Sequence, residues 1–143
     1  MSKIYWAHGS AVELELSDTK FKVDHSDKGA YITPASAAAA DLKGTVLLPI
    51  QAIGCDVASA VDVNLDIGAN ATMIEVEGFA GETSIFKDTQ ITVTDTNTTA
   101  RYSITNTTHF KCGVVVVLTF QFLDTKDAAY VQLLGAGVAM TTP

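Results

Sequence analysis

With 143 residues, the chain is the size of a single domain, and its 48% hydrophobic and 17% charged residues predict a packed core rather than a disordered chain. The net charge of −7 and the scattered positions of the lysines and arginines disfavour binding to nucleic acids or to anionic lipid. We therefore expect one domain over residues 1–143 with a solvated acidic surface.

The first predicted strand carries Trp6 and His8, which are two residues apart and so share one face of the strand. Gly9 then allows a turn or a close approach of the backbone. One interpretation is a tryptophan at the edge of the core with a histidine bonded to the backbone. The other is an aromatic platform for a sugar ring with His8 as its hydrogen-bond partner. No basic segment followed by an apolar one precedes this strand, so we expect a cytoplasmic protein, or a secreted one if a leader has been removed.

Apolar and polar residues alternate along much of the chain, which indicates antiparallel strands with one wet face. The clearest case is residues 60–67, whose four large aliphatic side chains are expected inside. In residues 72–79 the pattern places Ile74 and Val76 inside and the glutamates outside. The same alternation marks residues 11–16, 21–24, 89–95 and 101–106.

A short surface helix or loop is conceivable at residues 33–44, with Thr33 as N-cap, Pro34 at the first helical position and Gly44 as terminator. The tail from residue 128 is predicted as a final strand broken by glycines. Together the elements predict an all-β fold, an antiparallel two-sheet sandwich of jelly-roll or Greek-key type. We expect about ten short strands and at most one short helix.

Residues 44–50 and 112–122 are apolar on both faces, as expected for central strands covered on each side. In the second segment, Val115 and Val117 occupy the face on which a solvated sheet would carry polar residues. We therefore expect a homo-oligomer with the segment from Cys112 to Val117 at or next to the subunit contact. This apolar run is too short to span a bilayer as a helix, so no membrane insertion is expected.

The three histidines (His8, His25, His109) and the two cysteines (Cys55, Cys112) lack the spacing of a metal site. We expect no metal and no cofactor, and buried thiols unless the two cysteines come close enough to pair. In a strand, His109 and Cys112 would lie on opposite faces, which argues against a Cys–His dyad. The sequence therefore does not predict an enzyme, and a site built from His8, His109 and Cys112 is only the third hypothesis.

Asn and Thr are concentrated in residues 92–110, where they are either ordinary strand residues or hydrogen-bonding groups for a sugar. The leading hypothesis is a non-catalytic, lectin-like binding protein for a glycan or another small molecule, with Trp6, His8 and His109 as candidate ligand-binding residues. The alternative is a structural subunit that self-assembles through its apolar strand at Val115 and Val117.

Residues 6–15 (W-A-H-G-S-A-V-E-L-E) resemble the W-x-H-G-x-x-V-x-x-E opening of a family of small, uncharacterised microbial β-sandwich proteins. The resemblance continues more loosely through the apolar strand around Pro49, the Gly-led strand at residues 113–122 and the Ala/Gly-containing strand at residues 133–140. It implies a β-sandwich and implies no reaction.

Overall fold

The structure, a computed structural model, describes residues 2–14, 21–34, 42–51, 57–68, 71–89, 98–104, 114–122 and 130–141. Within these ranges the only helical segment is a short 3-10 turn, Gly9–Ala11, and no helix there is long and apolar enough to cross a membrane. The all-β prediction is confirmed. The strands are β1 (Ser2–His8), β2 (Glu13–Leu14), β3 (Phe21–Ser26), β4 (Gly29–Pro34), β5 (Leu42–Ile50), β6 (Val57–Ile67), β7 (Ala71–Ala80), β8 (Thr83–Asp88), β9 (Thr98–Ser103), β10 (Val114–Phe122) and β11 (Val131–Thr141).

The strands form two antiparallel sheets, as predicted. The six-stranded sheet has the order β3-β4-β11-β6-β9, and β1 also pairs with β11. The five-stranded sheet has the order β2-β5-β10-β7-β8. Because the chain crosses between the sheets after most strands, neighbours within a sheet are rarely consecutive, which is typical of jelly-roll and Greek-key sandwiches.

Strand β11 organises the six-stranded sheet. One of its edges pairs with β6 along nearly its whole length. Its other edge pairs with β4 at residues 131–133 and with β1 at residues 135–141. Strands β1 and β4 therefore lie end to end along β11, and this arrangement brings side chains distant in sequence onto one surface.

The core lies between the sheets and is built from alternate residues of the strands. On β6 the four aliphatic side chains predicted inside are buried, and five alternate residues of β10 are buried as well. Burying a side chain of this kind stabilises the fold by roughly 1.5–3 kcal/mol. The largest fully buried side chains are those of Phe120, Phe122, Ile32, Leu48, Ile50, Leu65, Ile67, Met73, Ile85, Leu118, Leu133 and Met140.

The prediction of a short helix at residues 33–44 is wrong at both ends of that segment. Thr33 and Pro34 finish β4, where they pair with β3, and Gly44 lies within β5. Gly44 is needed for packing rather than for ending a helix, because a Cβ on it would lie 2.2 Å from the ring of Phe21. Residues 35–41 of the predicted helix lie outside the described ranges.

The prediction that Ile74 points inward is also wrong. The register between β10 and β7 shifts so that Thr119 is opposite Glu75 while Phe120 is opposite Met73. The extra residue at this bulge is Ile74, which is only partly buried, and Met73 takes the core position. A bulge breaks strict alternation, which the sequence pattern assumes throughout.

Candidate functional site

The exposed face of β1 carries large side chains that the core does not use. Tyr5 and Ala7 pack against the core, whereas Ile4 and Trp6 are 45% and 51% exposed. His8 is exposed on the same side, as its two-residue spacing from Trp6 predicts. An exposed tryptophan on a regular strand is a more informative feature than an exposed aliphatic residue, since most tryptophan surface is buried in folded proteins.

The indole ring of Trp6 covers Gly137 on the neighbouring strand. The two residues are directly opposite each other in the β1–β11 pairing. A Cβ placed on Gly137 would lie 2.8, 2.9 and 3.0 Å from Cδ2, Cε3 and Cε2 of the indole. Gly137 therefore provides the space in which the ring rests against the sheet, and the remaining ring surface stays open to solvent.

Next to Gly137, strand β6 contributes a carboxylate held in a fixed orientation. Asp62 is opposite Gly137, and Arg101 on β9 is opposite Asp62. The Arg101 guanidinium donates Nε to Oδ1 at 2.7 Å and Nη2 to Oδ2 at 2.8 Å, a bidentate arrangement. These hydrogen bonds and the charge of Asp62 raise the pKa of Arg101. The Trp6 indole, Gly137 and the Asp62–Arg101 ion pair therefore lie in one row across the outer side of the sheet.

A second group of side chains lies further along the same side. Asp66 on β6, Gln132 on β11 and Tyr31 on β4 are opposite one another in the sheet register. The rings of Tyr31 and Tyr130 are stacked, with centroids 5.1 Å apart and 23° between their planes. The pKa of Tyr130 is raised mainly by burial and also by the nearby charge of Asp66. The buried Oδ1 of Asp66 accepts no hydrogen bond. We call the surface formed by Trp6, Asp62, Asn64, Asp66, Gln132 and Tyr31 the outer face.

His8 is held by hydrogen bonds to the backbone and to a neighbouring serine. Its Nδ1 accepts the Ser10 backbone N–H at 3.2 Å and lies 2.7 Å from the Ser10 hydroxyl. Its Nε2 therefore carries the proton and donates to the Asp27 carbonyl oxygen at 2.9 Å. Both ring nitrogens are engaged in this way, so His8 fixes the turn after β1, and its predicted role in binding a ligand stays a prediction.

Gly9 completes the explanation of the opening motif. A Cβ on Gly9 would lie 1.8 Å from the backbone carbonyl oxygen of Leu133, and one on Gly29 would lie 2.1 Å from the same atom. Gly29 also has a φ of 114°, a conformation that other residues rarely adopt. The turn after β1 and the β3–β4 hairpin therefore both press against β11 at its irregular point near Leu133.

Of the other predicted site residues, only Val115 and Val117 lie within the described ranges. His109, Cys112 and Cys55 lie outside the described ranges. Val115 and Val117 are partly buried on the outer side of the five-stranded sheet, where Pro49, Leu47 and Phe79 are their strand neighbours. Among the described residues no three His, Cys, Asp or Glu side chains are grouped so as to hold a metal ion.

Sequence reasoning missed a cleft of about 210 Å³ at one edge of the sandwich, between β8 and β9. The rings of Phe86 and Tyr102 stack beside it, with centroids 6.1 Å apart. Burial, together with the charge of Asp88, raises the pKa of Tyr102 to about 12. Lys87, Arg101 and Asp88 all line the cleft, so its charge is mixed, and Lys87 also forms an ion pair with Glu75 at 3.1 Å. The proximity of two edge strands from different sheets gives no signal in the sequence.

Nearly the whole chain is similar in fold to solved carbohydrate-binding modules. The apo form of BiXyn10A CBM1 aligns over 96% of this chain and 97% of its own, at 12% identity and a TM-score of 0.54. CsCBM6-3 from Clostridium stercorarium, in complex with cellobiose, aligns over 96% and 93%, at 13% identity and a TM-score of 0.50. A family 29 carbohydrate-binding module from Piromyces equi aligns over 97% and 92%, at 8% identity and a TM-score of 0.50. No protein-family model and no curated protein matches the sequence. At these identities the similarity establishes the fold.

Proposed function

We propose that this β-sandwich is a non-catalytic carbohydrate-binding protein and that its outer face holds the sugar. The observation that carries the proposal is the half-exposed indole of Trp6, seated on Gly137 beside the Asp62–Arg101 pair. The similarity in fold to carbohydrate-binding modules, one of them in complex with cellobiose, supports this choice among the possible ligands.

The chemistry of the outer face suits a sugar. A pyranose ring presents C–H groups on its flat sides and hydroxyl groups around its rim, so a binding surface needs an apolar platform flanked by polar groups. Trp6 supplies the platform at little cost in conformational freedom, since its contact with Gly137 already restricts the ring. Arg101 is held by its two hydrogen bonds to Asp62, and its exposed guanidinium can donate to ring hydroxyls without further ordering.

A glycan array probed with the fluorescently labelled protein tests the proposal. We expect binding to a subset of glycans, which is lost in Trp6→Ala and retained in Phe79→Ala, an aromatic residue on the outer side of the opposite sheet. Circular dichroism of both variants checks that they are folded. An array without any bound glycan, or binding that survives the removal of Trp6, contradicts the proposal.

A second candidate function is self-assembly, and a specific observation favours it. Val115 and Val117 are only partly buried, and Val115 adjoins Pro49 and Phe79 in the sheet register, so their side of the five-stranded sheet has an apolar patch around Val115 that is bordered by Glu77, the neighbour of Val117 on β7. We propose that this surface contacts another copy of the chain, because burying it would remove apolar area from water in both copies. Size-exclusion chromatography with light scattering distinguishes an oligomer from a monomer, and a strict monomer at high concentration would exclude this function.

A further inference from the structure

The surroundings of Trp6 differ between the two ends of strand β1. Ile4, two residues before Trp6, is 45% exposed and lies on the same side of the strand, so the two side chains form one apolar patch. His8, two residues after Trp6, is polar, and its ring nitrogens are engaged by Ser10 and Asp27. A single exposed aliphatic residue is ordinary, but one that adjoins an exposed tryptophan indicates a contact surface.

The row of the sheet that contains Ile4 carries short, uncharged side chains. Ile4 is opposite Ala139, Ala139 is opposite Ala60, and Ala60 is opposite Ser103. Ala139 and Ala60 are almost fully buried, although they lie in this row rather than in the main core cluster. The apolar surface that solvent reaches in this row is therefore mainly that of Ile4 itself.

The row of Trp6, by contrast, ends in hydrogen-bond donors. Two of the five N–H donors of the Arg101 guanidinium bind Asp62, and the side chain of Arg101 is 58% exposed. Arg101 lies across the strands from Trp6, whereas Ile4 lies along β1 from it, at a separation of roughly 7 Å. A ligand on the indole therefore meets donors in one direction and an aliphatic side chain at right angles to it.

An aliphatic side chain at this position distinguishes between classes of sugar. A sugar hydroxyl placed against Ile4 would lose its contact with water without gaining a hydrogen bond, which costs free energy of binding. A methyl group at the same position would instead remove apolar surface of both molecules from water. N-acetylated sugars and 6-deoxy sugars both carry such a methyl group, so Ile4 favours them over unsubstituted sugars.

We propose that the site on Trp6 selects sugars that carry a methyl-bearing substituent, with the methyl group on Ile4 and hydroxyl groups towards Arg101. This inference rests on the proposed function and deepens it from a sugar to one chemical class of sugars. The methyl group is the chemistry that N-acetyl and 6-deoxy sugars share, and matched pairs of ligands distinguish these two sources.

Competition against the tightest-binding glycan of the array, followed by calorimetry, tests this inference. One pair of competitors is N,N′-diacetylchitobiose and cellobiose, which differ in having acetamido groups or hydroxyl groups at the 2-positions. The other pair is L-fucose and L-galactose, which differ only in the 6-hydroxyl group. We expect the methyl-bearing member of at least one pair to bind about four-fold more tightly, the effect of burying one methyl group.

Ile4→Thr locates the preference. Threonine keeps the β-branched shape and strand propensity of isoleucine but presents a hydroxyl group, so the fold should be retained. The methyl-bearing sugar should then bind no more tightly than its partner. Ile74→Thr, the same change at a partly buried residue of the opposite sheet, is the matched control and should keep the preference.

Saturation-transfer NMR on the parent protein needs no variant, and it keeps the test valid if Ile4→Thr is poorly folded. The methyl protons of the bound sugar should be among the most strongly saturated, because they contact the protein. Weak saturation of the methyl protons compared with the ring protons would contradict the inference.

Equal affinities within both pairs, or a preference that survives Ile4→Thr, would overturn the inference and leave the proposed function intact if the array shows bound glycans. A changed molar mass of Ile4→Thr in light scattering, with an unchanged sugar preference, would assign Ile4 to a contact between copies and overturn the inference as well. An array without bound glycans contradicts the proposed function, and the inference fails with it.

Discussion

Replacing Gly137 with alanine separates the role of the indole from the stability of the fold. The added Cβ would lie 2.8–3.0 Å from three atoms of the Trp6 ring, where an ordinary carbon contact is about 3.5–4.0 Å. The ring must therefore move away from the sheet by roughly 0.5–1 Å. Because the neighbour that must yield is a half-exposed side chain rather than backbone, the fold can accommodate the change.

The expected effects on stability and on binding differ. Losing part of the indole contact lowers the free energy of unfolding, whereas replacing a strand glycine by alanine raises it by roughly 0.5–1 kcal/mol. We therefore expect the free energy of unfolding, measured by urea denaturation with circular dichroism, to change by less than about 1 kcal/mol. Affinity for a sugar should fall about five- to ten-fold, because the platform is displaced from the Asp62–Arg101 pair.

Gly9→Ala is the matched contrast, since its Cβ would lie 1.8 Å from the backbone carbonyl oxygen of Leu133, which cannot move aside. This variant should lose several times more stability than Gly137→Ala, of the order of 3 kcal/mol or more. A Gly137→Ala protein that binds sugar as tightly as the parent would refute the reasoning, because the indole would then not depend on the space above Gly137.

Three further predictions concern other parts of the molecule. Arg101→Met should lower the free energy of unfolding by roughly 1–3 kcal/mol in urea, because it leaves the 8%-exposed carboxylate of Asp62 without its two donors; an unchanged midpoint would show that the pair contributes nothing. Burial raises the pKa of Tyr102 to about 12, so the folded state keeps a proton that the unfolded chain loses near pH 10. Stability should therefore fall between about pH 10 and 12, by roughly 1 kcal/mol for a partly buried ring, and Tyr102→Phe should remove that part of the decline; an identical decline in the variant would contradict the assignment. Replacing Val115 and Val117 together with lysine should give a folded monomer by light scattering if this surface joins subunits; an unfolded variant of an already monomeric parent would show that both valines belong to the core.

The fold was largely predictable because alternation follows directly from the geometry of strands. The four aliphatic residues of 60–67 and the even-numbered residues of β10 are buried as expected, since each sheet has one face on the core. The failures have local causes. A bulge turned Ile74 outward, and the capping signals at Thr33 and Pro34 were outweighed by pairing with β3.

The candidate site was only partly predictable. Its tryptophan could be recognised as unusual, but its partners could not, because Gly137, Asp62 and Arg101 meet Trp6 only through the register of four strands. The same holds for His8, whose ring nitrogen bonds to Asp27, nineteen residues away. The resemblance of the opening to a β-sandwich family and the predicted ligand-binding roles of Trp6, His8 and His109 stay predictions.

The most direct test of a carbohydrate site on the outer face uses the fluorescence of Trp6, the only tryptophan in the chain. The emission spectrum should be recorded while the protein is titrated with the tightest-binding glycan from the array, in parallel with calorimetry. We predict that the emission maximum shifts to shorter wavelength as the sugar excludes water from the exposed half of the indole, with a midpoint matching the calorimetric Kd. Calorimetric binding that leaves the spectrum unchanged would place the sugar elsewhere and contradict the account.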